Sequence, residues 1–197
     1  MVSPAAPGLF FAFAAAALLL FASITPPAWD KVNFLSATMG STKTLFGMLG
    51  ECVKGQSCTH RSVGYDLMAS GSNANINSTV LHNLTYTLVL HPIAGFFALL
   101  AFLSGILGAV AASRVSTIFM SIFAFIAWVI TLVVFVIDMV LWNVVKDRID
   151  SAGGHASLGN ANWFTLGALA SLFFCVCTSL CGACGRFATG RMAGEKY

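Results

Sequence analysis

Four apolar runs, each close to the length of a bilayer crossing, constrain this chain more than any other feature. They span residues 9–24, 88–112, 115–142 and 163–184. A helix crossing the hydrocarbon core needs about 20 mainly apolar residues. The second, third and fourth runs meet that length. The first is shorter and is bounded by Pro7 and by Thr25-Pro26-Pro27. Its alternative reading is a cleaved leader ending near Ala22-Ser23. Against that stands the lack of any Lys or Arg ahead of it. Of the 197 residues, 58% are hydrophobic and only 9% charged, where a soluble domain carries about a quarter charged. So few charges cannot cover a water-facing surface, whereas a lipid-facing one needs none. The formal net charge of +3 forms no basic stripe, so nothing points to nucleic acid.

Four spans place both termini on one side. They leave a long loop at 25–87, a shorter Gly-rich loop at 143–160, and a tail at 185–197. Basic residues do not fix the sidedness. Arg114, Arg186, Arg191 and Lys196 fall on the side of the termini, and Lys31, Lys43, Lys54, Arg61, Lys146 and Arg148 on the other. Basic residues in a long translocated loop carry little weight. Two other signals put the loops outside and the termini in the cytosol. Asn77-Ser78-Thr79 and Asn83-Leu84-Thr85 are glycosylation sequons, with Asn77 and Asn83 as acceptors. Cys52 and Cys58 lie in the same loop, where an oxidising space lets them pair.

The long loop reads as a small β module. Lys31 to Ala37, Thr42 to Leu49 and Cys58 to Tyr65 have β-favouring residues with period-two character. A Cys52–Cys58 bridge across the Gly-containing turn between the last two would staple a hairpin and fix its register. Free or separately paired thiols are the alternative.

Other residues stand out singly. Asp138 is the sole charge between Val115 and Trp142. Its place near the end of that run favours an interfacial role or a pair with Lys146 or Arg148 over a proton relay. His60, His82, His91 and His155 all fall on the predicted outer side, where histidine is the natural reporter of ambient pH. Cys177, Cys181 and Cys184 share one helical face near the cytosolic end, with Cys175 turned about 200° away, which suits four-thiolate metal binding poorly. Cys181 and Cys184 are candidates for palmitoylation, with small packing residues as the alternative. Ala101, Gly105, Ala109 and Ser113 recur at fours along the second run, as close helix packing or self-association requires. Trp29, Trp142 and Trp163 are expected as interfacial anchors. No His-Glu-x-x-His, Gly-x-Ser-x-Gly or phosphate-binding Gly-rich loop occurs, so catalysis, a metal and a cofactor find no support.

Several short motifs occur in a distinctive order. Trp29 follows the first run, then come Phe46-Gly47-Met48-Leu49-Gly50-Glu51-Cys52, Cys58 and Gly64-Tyr65-Asp66. Leu90-His91-Pro92-Ile93-Ala94 opens the second run, and Gly159-Asn160-Ala161-Asn162-Trp163 enters the fourth. Over nearly the whole chain this resembles the fungal PalI/SUR family of four-helix plasma-membrane proteins. Trp29, Gly47, Leu49, Gly50, Gly64, Tyr65, His91, Pro92, Asn160 and Trp163 carry the match. Claudins share a Trp followed by Gly-Leu-Trp and two cysteines. Here Met48-Leu49 stands where they have Leu-Trp, and the cysteines lie closer together, so the likeness implies a claudin-like fold without claudin function.

The resemblance implies an all-α transmembrane four-helix bundle with a small extracellular antiparallel β module. It also implies a non-enzymatic plasma-membrane protein, an accessory in ambient-pH sensing that helps to place a seven-helix pH receptor. The alternative by the same resemblance is an organiser of plasma-membrane domains and cell-wall integrity, with eisosome proteins as partners. A claudin-like adhesion or barrier protein is the third reading. Membrane lipids, and a second copy of the chain, are the remaining partners expected.

Overall fold

The computed structural model describes residues 6–55, 58–60, 62–65, 79–111 and 114–183. Its helices are α1 (Ala6–Ser23), α2 (Thr79–Thr87), α3 (Leu90–Ala111), α4 (Arg114–Ser151) and α5 (Asn160–Ala183). Its strands are β1 (Leu35–Met39), β2 (Thr42–Phe46), β3 (Glu51–Val53) and β4 (His155–Leu158). Four helical stretches are long and apolar enough to cross a membrane: Ala6–Ser23, His82–Val110, Val115–Ser151 and Asn160–Leu180. With the four-stranded antiparallel sheet and a disulfide, they make a claudin-like four-helix membrane fold.

The chain divides into two compact units. One comprises residues 1–18, 93–131 and 167–197; the other, which carries the sheet, comprises 19–92 and 132–166. In the first, small residues let helices approach. A Cβ on Gly105 would lie 2.9 Å from both Leu9 Cδ1 and Met120 Sδ, and one on Gly8 3.1 Å from Thr178 Oγ1. Ala12, Ala101, Met120, Ala124 and Cys175 form the buried centre. The Ala101–Gly105 stripe is thus used for packing within the chain. Phe10, Phe13, Leu107, Phe125 and Phe173 point outward, as a lipid-facing surface allows.

The sheet-bearing unit has strand order β3-β2-β1-β4, all antiparallel. Leu35 and Ala37 of β1 turn inward while Thr38 faces out, the period-two pattern of a sheet with one covered face. Beneath that face lie Phe34, Phe46, Leu88, Leu141, Trp142, Val145 and Ile149. Phe34 stacks on Trp142 with ring centroids 5.7 Å apart.

Three sequence expectations change. Cys58 to Tyr65 is not a strand: the third strand is Glu51–Val53, and Cys58 makes only an isolated bridge to Cys52. The fourth strand comes from the Gly-rich loop, His155–Leu158, paired with β1. Helix α4 does not stop at Trp142 but continues to Ser151. Leu141, Val145 and Ile149, spaced by four, bury one face of that extension under the sheet. It ends where Gly153, at φ 83°, reverses the chain and Gly154 N–H donates to the Ile149 carbonyl.

Candidate functional site

Helix α3 opens with Leu90-His91-Pro92. Proline is tolerated in a first turn, where backbone N–H groups lack helical partners anyway. The fold there turns the His91 ring back on its own start. Nδ1 lies 3.0 Å from the Leu88 carbonyl oxygen, which also accepts the His91 backbone N–H. A carbonyl only accepts, so Nδ1 carries a hydrogen. On the other side of the ring, Nε2 lies 3.2 Å from Thr165 Oγ1 of α5 and 3.0 Å from Asp138 Oδ2 of α4. Thr165 donates its own hydrogen to the Ala161 carbonyl at 3.1 Å. The contact with Asp138 has ion-pair distance but lies off the line of a hydrogen bond. His91, Asp138 and Thr165 are all fully buried, and Phe34 stands edge-on to His91 at 5.2 Å.

Asp138 therefore has a different partner from the one expected. Lys146 and Arg148 lie eight and ten residues further along α4, about 12 to 15 Å at helical rise. The partner is His91, on another helix. Asp138 Oδ1 and Trp142 Nε1, one turn apart on α4, have no hydrogen-bond partner among the described residues. Trp142 itself is not an interfacial anchor: it is 0% exposed, whereas Trp29 and Trp163 are 39% and 67% exposed.

A second cluster ties the long loop together. The Tyr65 hydroxyl donates to the Gly47 carbonyl at 2.7 Å, and Met48 N–H donates to Thr25 Oγ1 at 2.7 Å. Gly47 N–H donates to the Gly50 carbonyl at 2.9 Å, closing a tight turn. A side chain on Gly47 would collide with the Pro26 carbonyl, and one on Gly64 (φ 69°) with the Tyr86 ring. Thr85 donates to the Tyr65 carbonyl, at 3.3 Å, and to that of His82. Burial, and then the negative charge of Glu51, hold the Tyr65 hydroxyl well above the usual phenol range. Cys52 and Cys58 are joined as a disulfide, and beside it Thr59 N–H donates to the Glu51 carbonyl at 2.9 Å. Asp30 lies close to both sulfurs, but these are bonded to each other and offer a metal no thiolate.

The remaining candidates are scattered. His60 and His155 are exposed, and His82 packs edge-on against Tyr86 at 5.3 Å. Asn83 is exposed on α2; Asn77 lies outside the described residues. Cys175 is buried and Cys177 exposed. Cys181 falls on α5, its side chain not described, and Cys184 lies outside the described residues. Asn160 joins the segment before β1 to the start of α5: its Oδ1 accepts from Asn33 N–H and its Nδ2 donates to the Lys31 carbonyl, both at 3.1 Å. Leu49 packs against the sheet core, and Gly50 abuts Thr59 Oγ1. Sequence reasoning did not couple His91 to Asp138 or Thr165. A buried carboxylate in one apolar run and a histidine at the mouth of another were the available signals, but nothing in their spacing pairs them.

Over 150 residues, 72% of this chain and 21% of the other, the chain is 27% identical to pH-response regulator protein palI/prr-5 of Neurospora crassa. Over 103 residues, 49% of this chain and 14% of the other, it is 34% identical to pH-response regulator protein palI/RIM9 of Yarrowia lipolytica. In each, the matched region is at most about a fifth of the relative's length. The sequence profile of the SUR7/PalI family matches residues 5–181, nearly the whole chain. The protein belongs to the SUR7/PalI family.

Proposed function

We propose that this protein is a non-enzymatic accessory of ambient-pH sensing at the plasma membrane, one that holds or places a seven-helix receptor. The observation that carries the reading is its likeness to two fungal pH-response regulators, over 150 and 103 residues. The buried His91–Asp138 pair supports it, since an ionisable couple held within membrane-spanning helices marks a functional place. In this reading the sheet-bearing loops face the outside and both termini the cytosol. The Cys52–Cys58 disulfide supports that orientation, because such bonds persist in oxidising compartments.

Affinity purification in mild detergent tests the role. A seven-helix receptor among the copurifying proteins is the expected result. BAR-domain coat proteins in its place would favour an organiser of membrane domains, and neither partner would contradict both readings.

A further inference from the structure

We infer that His91 and Asp138 form a proton-binding site: together they hold one proton in the buried core, and alkaline conditions that remove it loosen the sheet-bearing unit.

The count follows from the acceptors around the ring. Nδ1 faces the Leu88 carbonyl, which only accepts. Nε2 faces Thr165 Oγ1, whose hydrogen is given to Ala161, and the Asp138 carboxyl 3.0 Å away. A ring with hydrogen on both nitrogens serves the Leu88 and Thr165 oxygens and sets a positive charge 3.0 Å from an ionised Asp138. A neutral ring beside a protonated Asp138 holds the same number. The pair is electrically neutral in either arrangement. Without the proton, a ring lone pair faces a carboxylate at 3.0 Å, and a full negative charge sits in an apolar core. Such a charge is strongly disfavoured there.

Among the described residues, the neighbours from each element offer no substitute cation. From α4 come Asp138 and Trp142, from α5 Thr165, from the segment leading into β1 Phe34, and from the α2–α3 junction the Leu88 carbonyl. Asp138 has His91 as its ion-pair partner. Among the described residues of the unit, the other buried titratable groups, Glu51 and Tyr65, are acids and supply no positive charge. The site lies in the unit that carries the sheet and the disulfide. Its purpose, though not its proton count, rests on the pH-response reading.

The sign follows from comparing states. Unfolded, a histidine releases its proton near pH 6.5 and an aspartate lower still. Folded, the pair retains one. Wherever the folded pair holds a proton that the unfolded side chains have released, stability falls as pH rises. One proton corresponds to about a tenfold fall in the folding equilibrium constant per pH unit across that window.

The test uses the purified full chain in lipid bilayers. Ring 15N resonances of the histidines and the infrared bands of Asp138, assigned by Asp138→Asn, count the proton at pH 7. Either a doubly protonated His91 ring or a protonated Asp138 carboxyl is expected. A singly protonated ring beside an ionised carboxylate overturns the site. Should Asp138→Asn fail to fold, Asp138→Glu, which keeps the carboxyl, assigns the carboxyl band in its place, and the ring resonances are assigned by loss of the His91 signal in His91→Gln. The double variant His91→Gln/Asp138→Asn should lose the tenfold-per-unit dependence; retaining it overturns the site. Failure of the receptor to copurify would leave the proton count standing, and failure of the count would leave the receptor reading standing.

Discussion

The hydroxyl of Tyr65 is bonded to the carbonyl of Gly47, 2.7 Å away, with both residues buried. The bond spans 18 residues of sequence and encloses β3 and the disulfide. Tyr65→Phe would leave that carbonyl without its donor. An unsatisfied buried acceptor costs about 1–3 kcal/mol. A lower unfolding midpoint in detergent, with the disulfide retained, is the expected outcome.

The same tyrosine gives the loop an alkaline limit. Its folded-state pKa lies well above the ordinary phenol value, first through burial and then through Glu51. An acid so shifted contributes stability in full below the unfolded value of about 10 and loses it as pH rises beyond. The gap in stability between wild type and Tyr65→Phe should therefore stay constant up to about pH 9 and narrow above pH 10. A gap that widens there would contradict the buried position.

Gly64 should resist replacement for two reasons at once. Its φ of 69° disfavours any side chain, and a Cβ would enter the Tyr86 ring. Gly64→Ala is expected to destabilise by about 1–3 kcal/mol. Adding Tyr86→Ala should recover part of the loss, because the collision goes but the backbone conformation remains. At Gly47 the obstacle is the Pro26 backbone carbonyl, so trimming side chains should recover nothing there.

Removing the disulfide should cost less than is usual for a small extracellular module. The closed loop runs only from Cys52 to Cys58, a sequence separation of 6. Loop entropy then gives about 2 kcal/mol. Cys52→Ser is expected to lower the unfolding midpoint yet leave a folded protein, since Thr59 and Glu51 still pair beside it. Circular dichroism with and without reductant reads both outcomes.

What was legible in the sequence was what depends on local pattern. The four apolar runs became helices, because length and hydropathy alone decide whether a segment suits a bilayer. Features set by distant partners were not legible. β4 has four residues in a Gly-rich loop and becomes a strand only by pairing with β1, more than a hundred residues away. Hydropathy ended the third span at Trp142, but a helix need not end where its apolar stretch does. The spacing of Leu141, Val145 and Ile149 held that signal. Asp138 was visible as an odd charge, yet its partner sits on another helix, and no periodicity within α4 points to it.

Ambient-pH sensing by the sheet-bearing unit requires that unit to face the outside. Thr38 is exposed on β1, so Thr38→Cys offers a reporter of sidedness. A membrane-impermeant maleimide applied to intact cells should label it above the unsubstituted chain, while Ala188→Cys in the tail labels only after permeabilisation. Labelling of Thr38→Cys only after permeabilisation would place the sheet in the cytosol and contradict the proposed role.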